Sequence, residues 1–375
     1  MLDLEAIRAE FPVTRAWTYL NHAGIAPISR RVRRAVQALL SDVEENGAVN
    51  HAAWTEAVRK ARRSAARMLN AHPSEIAFVK NTTEGILIVA NGIRWRRGDN
   101  VVIAEKEFPA NVYPWLNLKR KGVEVRFARE MERCIPIEEV ARQMDGRTRV
   151  VSLSSVAFST GYRNDLDALG ALCHERGALF CVDAIQSLGA LPIDVRRSRI
   201  DFLSADGHKW LLGPEGAGVF YCGRSAMQKI EVASLGWGGV VNPTDFLAYD
   251  ATPAPTAERF EPGTLNTAGV YGLRAAFDLL LSVGVSEVES RVLALTDRLC
   301  EGLRGRGYRI QSPRGPGEKS GIVTFSHERH GAEELFRRLR EHRVVGAVRD
   351  GRVRLSPHFY NTEEEIDRAV EVLPG

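Results

Sequence analysis

The stretch Phe202-Leu-Ser-Ala-Asp206-Gly-His-Lys209-Trp-Leu-Leu-Gly-Pro-Glu-Gly-Ala-Gly-Val-Phe-Tyr221 decides the reading of this chain. A short apolar strand runs into a polar turn, then one lysine, then a Gly-rich loop and a second apolar strand. A lysine held between buried strands loses its charge and becomes a nucleophilic amine, the state that forms a Schiff base with an aldehyde. Lysines occur only at 60, 80, 106, 119, 121, 209, 229 and 319. Lys80 also ends an apolar run, but Lys209 alone has the full setting.

Upstream, Ala178-Leu-Phe-Cys-Val-Asp183-Ala-Ile-Gln186 reads as a buried strand ending in a carboxylate. An aspartate there suits a pyridinium nitrogen. Lys209 and Asp183 together point to pyridoxal 5'-phosphate. Asn81-Thr82-Thr83-Glu84-Gly85 follows a strand and opens a helix, whose first amides and two hydroxyls offer a phosphate seat. The same spacing is also that of a capping box, which needs no ligand.

From about 76 to 222, short apolar strands alternate with helical patterns. Strands are expected at 76–79, 100–104, 123–127, 149–153, 179–182, 202–204 and 218–221. This alternation predicts an α/β fold: a mostly parallel seven-stranded sheet covered on both faces, with ligands at the carboxyl ends of its strands. Asp183, Ser204 and Lys209 all fall at or just past such ends. A Pro-rich stretch from Asn242 to Ala257 separates this region from a smaller α+β unit. The expected division is 1–25 as an N-terminal segment packing on the small domain, 26–257 as the large domain and 258–375 as the small one.

Composition excludes several functions. With 51 basic and 47 acidic residues, the chain has no field suited to nucleic acid, and its Arg-rich patches lack interleaved aromatics. No apolar run reaches membrane length, and the N-terminus reads as an amphipathic helix rather than a signal peptide. The cysteines at 134, 173, 181, 222 and 300 lack CxxC spacing and read as reduced thiols, so a cytoplasmic enzyme is expected. His327 and His330 have no third ligand near them in sequence, so no metal is expected. Gly213-Pro-Glu-Gly-Ala-Gly218 lacks the strand–GxGxxG–helix order of a nucleotide site.

The residues resemble the class V pyridoxal-phosphate enzymes, which have fold type I and include cysteine desulfurases, selenocysteine lyases, isopenicillin N epimerase-like proteins and kynureninases. The resemblance runs through Tyr19-Leu-Asn-His-Ala-Gly24, Asn81 to Gly85, Glu107-Phe-Pro-Ala-Asn-Val-Tyr-Pro-Trp115, Val182 to Ser187, Ser204 to Gly213, Arg259-Phe-Glu-Pro-Gly-Thr-Leu-Asn266 and Tyr360 to Asp367. It implies that Lys209 carries the cofactor and moves protons at Cα, while Asp183 holds the pyridinium proton. Gln186 would bond the ring O3′, and Phe108 would cover the ring face. Thr82, Thr83, Ser204 and His208 would hold phosphate, with Thr264 reaching the phosphate of a neighbouring subunit in a homodimer. Asn21 and Ala23 would lie at the substrate. Arg349 would grip the substrate carboxylate, with Arg354 the competing choice.

Two departures bear on the reaction. No cysteine follows Cys300, where desulfurases carry a persulfide-accepting thiol on a mobile loop. Ala157 stands where relatives commonly place Asn or Gln facing the cofactor. Trp237 lines the entrance or packs a turn, with nothing in the sequence to choose between them. The expected activity is chemistry at the α-amino group and Cα of an amino acid, as an epimerase-like protein, aminotransferase or carbon–sulfur lyase. A desulfurase or a non-catalytic pyridoxal-binding protein is the alternative.

Overall fold

The computed structural model describes residues 3–375. Seven strands form the central sheet: β1 (Ile76–Val79), β2 (Asn100–Ala104), β3 (Glu124–Ala128), β4 (Thr148–Ser154), β5 (Leu179–Asp183), β6 (Phe202–Asp206) and β7 (Gly218–Cys222). Their spatial order is β1-β7-β6-β5-β4-β2-β3, with β7 antiparallel to both neighbours and the others pairing in parallel. The observed strands match the expected ones to within two residues at each end.

These residues form inner strands because every position of β1, β2, β5, β6 and β7 is buried. Parallel strands covered on both faces need near-continuous apolar sequence rather than alternation. Successive side chains then feed opposite layers. Phe180 and Val182 enter the core on one face, while Leu179 and Cys181 enter the core on the other.

Helices α1 (Arg30–Asn46) and α2 (His51–Leu69) lie in the first layer, and α3 (Thr82–Gly92) contacts β5, β6 and β7. α4 (Leu166–Glu175) begins at the N-cap Asp165, whose carboxylate accepts the amides of Asp167 and Ala168. A bidentate ion pair between Arg62 of α2 and Glu261 ties the segment after the Pro-rich stretch to this layer. Glu261 also accepts the Phe78 amide of β1, so the pair is compensated despite its burial.

α5 (Thr267–Val283) packs along α1 and α2, and the chain bends 80° at Gly284 into α6 (Val285–Gly305). α5 thus shares the core of the large layer, although the sequence division at 257 assigns it to the small unit. Its apolar face is read equally well for either partner, and only packing against α1 and α2 decides. The C-terminal sheet comprises β8 (Arg309–Ile310), β9 (Val323–Ser326), β10 (Ala347–Arg349) and β11 (Arg352–Leu355), all antiparallel in the order β10-β11-β9-β8. Thr18–Tyr19 pairs with Val344–Val345, and Arg8 bonds Glu365, so the N-terminal segment docks on this unit. No single helix among the described residues is long and apolar enough to cross a membrane.

Candidate active site

Register brings Ser154, Asp183 and Ser204 side by side at the carboxyl ends of β4, β5 and β6. Past that edge lies a cavity of about 440 Å³, walled by Ala23, Thr82, Thr83, Phe108, Asp183, Gln186, His208, Lys209, Arg349 and Arg354, among others. The sequence-predicted residues therefore converge, except Ser204, Asn21 and Thr264.

Lys209 follows the turn Asp206-Gly-His, which is closed by the Gly207 amide donating to the Ala217 carbonyl. A Cβ at Gly207 would lie 2.6 Å from that carbonyl oxygen, so the tight approach requires glycine. Lys209 is only 8% exposed. Burial lowers its ammonium to about 8, against the upward pull of Asp183, and Arg354 adds to the lowering. Its Nζ lies 5.4 Å from the centre of the Phe108 ring, which meets Phe158 edge to face.

Asp183 is fully enclosed, and burial raises its carboxyl to about 6. Oδ1 accepts the Ile185 amide at 3.0 Å, while Oδ2 is buried without a partner. An uncompensated buried carboxylate oxygen costs free energy unless a donor arrives. Gln186 is fixed from two sides: Oε1 accepts Trp210 Nε1 at 2.9 Å, and Nε2 donates to the Ala23 carbonyl at 3.0 Å.

At the opposite end α3 points its N-terminus at the cavity. Asn81 caps it by accepting the Glu84 amide, whereas Glu84 reaches back to the Lys80 amide, one residue short of a reciprocal box. The Asn81 cap orders the turn, and Thr82 and Thr83 lie on the cavity wall. Thr82 Oγ1 accepts the Asp206 amide. His208 Nδ1 lies 2.9 Å from Asp206 Oδ2, and Asp206 Oδ1 accepts the Gly207 amide.

Two expectations need correction, those for Ser204 and Asn21. Ser204 is off the cavity wall: its hydroxyl donates to the Thr82 carbonyl at 3.0 Å beneath Gly85, so it braces α3. Asn21 pairs with Ser356 and tucks its amide under the Gly24 turn, away from the cavity. Ala157 faces a separate small cleft, and Phe158 is the neighbour that reaches the wall. Trp237 is exposed against Phe246 and lines no entrance in this chain. Thr264 is exposed and lines a separate cleft with Lys80 and Glu84 rather than the cavity of its own chain.

The two arginines differ sharply. Arg354 is 1% exposed; Nη1 donates to the Phe158 carbonyl at 2.8 Å, and Nε and Nη2 are buried without partners. Burial first, then Arg349, lowers its guanidinium to about 9. Arg349 is exposed, with Nη1 on the Val348 carbonyl. Of the two, Arg354 carries the buried, half-satisfied fork, a geometry suited to a carboxylate, whereas the sequence reading preferred Arg349. Spacing along a hairpin could not reveal which arginine points inward under Phe158.

Sequence reasoning missed Asp206, Phe158 and Glu107. Glu107 is partly exposed as a residue, but its carboxylate turns inward to accept the Ser154 amide at 2.7 Å and the Ser154 hydroxyl. Burial raises it to about 7, with Ser154 opposing and Asp183 adding to the rise. His22 and His358 were also unassigned. They are buried struts, bonded to the Ser356 carbonyl and Tyr360 hydroxyl, and to the Trp210 carbonyl.

The family model for aminotransferase class-V matches residues 18–369. The chain belongs to the class-V aminotransferase family. Among relatives of this class-V chain, a probable cysteine desulfurase of Methanothermobacter thermautotrophicus is 32% identical, with 98% of this chain and 97% of that protein aligned. A cysteine desulfurase of Salmonella typhimurium is 32% identical across 98% and 96%. Among solved structures, apo cysteine desulfurase from Thermococcus onnurineus NA1 superposes with a TM-score of 0.90 at 25% identity, covering 99% and 97%. The cystine C–S lyase C-DES, in complex with its product cysteine persulfide, gives 0.89 at 25%, covering 96% and 98%.

The class-V cofactor is pyridoxal phosphate, and the residues fit it. The unpartnered Asp183 Oδ2 awaits a cationic N–H, the Lys209 amine stands near Phe108, and α3 offers its N-terminus to a phosphate. The protein is therefore a pyridoxal-phosphate enzyme of the transferase or lyase type.

Proposed function

We propose that this enzyme is a carbon–sulfur lyase that cleaves the Cβ–S bond of a cysteine derivative and releases sulfur to solution rather than to a protein thiol. The cofactor supplies a cationic ring that accepts electron density from Cα. Arg354 binds the α-carboxylate through Nε and Nη2 and thereby orients the Cα–H bond. Lys209, lowered to about 8, is poised to take the Cα proton near neutral pH. Asp183 keeps the ring nitrogen protonated, and Gln186 bonds the ring oxygen. Thr82, Thr83 and His208 hold the phosphate. Phe108 and Phe158 shield the reacting carbon from water. As the Cα–H bond breaks, its electron pair drives loss of the sulfur substituent as a thiolate, and water then yields pyruvate and ammonia.

The observation that carries this reading is the placement of sulfur in the chain. Among the described residues, no cysteine lines the cavity. Cys173, Cys181, Cys222 and Cys300 are buried, and burial raises the partly exposed Cys134 thiol to about 11. None is an accessible thiolate fit to accept a persulfide. Homodimerisation is part of the proposal: exposed Thr264 is free to reach a second copy's phosphate, and exposed Trp237, Phe246, Leu247 and Tyr249 are apolar surface that a second copy would cover. Five unpaired cysteines suit the reducing cytoplasm.

The test is to offer the holoenzyme cysteine, cystine and S-alkylcysteines and to measure pyruvate, ammonia, sulfide and alanine. Equimolar pyruvate and ammonia with free thiol or sulfide support the lyase. Alanine with sulfur retained on the protein means a desulfurase, and a keto acid that keeps its sulfur means an aminotransferase.

A further inference from the structure

Arg349 stands beside Arg354 on the cavity wall. In the β10–β11 hairpin Ala347 pairs with Arg354, and Arg349 lies two residues from Ala347. Alternation therefore puts the side chains of Arg349 and Arg354 on one face of the hairpin as diagonal neighbours. Both reach the cavity wall. Neither forms an ion pair with a described residue, and the nearby Asp350 is taken by Arg352. The acids on the wall are Asp183 and Asp206, and both belong to the cofactor end, where Gly207 and His208 already engage Asp206.

The substrate end thus holds two guanidinium groups and one α-carboxylate to share between them. A single carboxylate satisfies Nε and Nη2 of Arg354 and leaves Arg349 as an unbalanced cation beside it. The same cavity wall carries the apolar side chains of Ile25, Phe108, Phe158 and Ile185. Such a site favours a side chain that is hydrocarbon or sulfur along its length and negative at its tip.

Resting on the carbon–sulfur lyase reading, we propose that the preferred substrates are S-substituted cysteines whose sulfur substituent ends in a carboxylate, with Arg354 holding the α-carboxylate and Arg349 the distal one. The probes are S-carboxymethylcysteine, its uncharged isostere S-carbamoylmethylcysteine and S-methylcysteine. Each is titrated into the holoenzyme, and the saturable change in cofactor absorbance gives a dissociation constant independent of turnover. The acid should bind at least about fivefold more tightly than the amide at low salt, and added salt should erode the difference. In Arg349→Gln the two constants should fall within about twofold of each other. Equal binding of acid and amide by the unaltered enzyme overturns the inference, as does an acid preference that survives in Arg349→Gln. A response to S-methylcysteine without acid preference removes this inference alone; silence toward all three probes removes the lyase reading with it.

Discussion

Arg354 donates Nη1 to the carbonyl of Phe158 at 2.8 Å, while its Nε and Nη2 are buried without partners. The same Phe158 ring braces Phe108, whose face lies over the Lys209 amine. Phe158 therefore braces both the Arg354 guanidinium and the Phe108 ring. Replacing Arg354 by Lys keeps charge but loses the fork. At about 1.5–3 kcal/mol for a charge-assisted bond, half-saturation by amino acid should rise roughly ten- to hundredfold. Arg349→Lys should change it far less for a substrate with no distal carboxylate. Spectral titration of both variants with S-methylcysteine checks the order.

Asp183→Asn should retain cofactor but slow proton loss at Cα by roughly one to two decades, because an amide cannot hold the ring proton as a carboxylate does. Exchange of the Cα proton in deuterated water isolates that step. An exchange rate equal to that of the unaltered enzyme removes the role assigned to Asp183.

Cofactor capture requires the neutral form of the Lys209 amine. With the ammonium lowered to about 8, the rate at which apoenzyme takes up pyridoxal phosphate should climb about tenfold per pH unit on the acid side and level off above about 8. Arg354→Gln removes a cation that contributes to this lowering, so the inflection should move to higher pH. Stopped-flow uptake across pH 6–10 reads both.

Glu107 binds its proton more tightly folded than unfolded, because burial raises it from 4.5 to about 7. Its contribution to stability is thus present below the unfolded value and lost as pH rises through about 7. Glu107→Gln removes that loss. The stability of the apo variant relative to the unaltered chain should increase between pH 5 and 7.5, as measured by urea midpoints. A flat difference across this range means that the carboxyl is not enclosed as described.

After incubation with cysteine, intact-mass analysis should find no stoichiometric persulfide on the chain. The high position of the Cys134 thiol, about 11, and the burial of the other four are the reasons. A persulfide on any of the five would restore the desulfurase reading.

The sheet was legible because continuous apolar runs such as Leu179–Val182 have few alternatives to a doubly covered strand. Lys209, Asp183 and Gln186 were legible because each follows such a strand. Ser204 and Asn21 misled for a common reason: motif position specifies a neighbourhood, but a hydroxyl or amide near a helix end is as readily used by a backbone carbonyl or a tight turn. The choice between Arg349 and Arg354 depends on a contact with Phe158 nearly two hundred residues away in sequence. The tie between α5 and its partners α1 and α2 is likewise a long-range fact that local periodicity does not carry.

The most direct measurement is borohydride reduction of the holoenzyme followed by peptide mapping. A single pyridoxyl group on Lys209, and no such label in Lys209→Ala although that variant still folds, is the predicted result. A label on Lys80 or any other lysine in the unaltered enzyme would contradict the account at its centre.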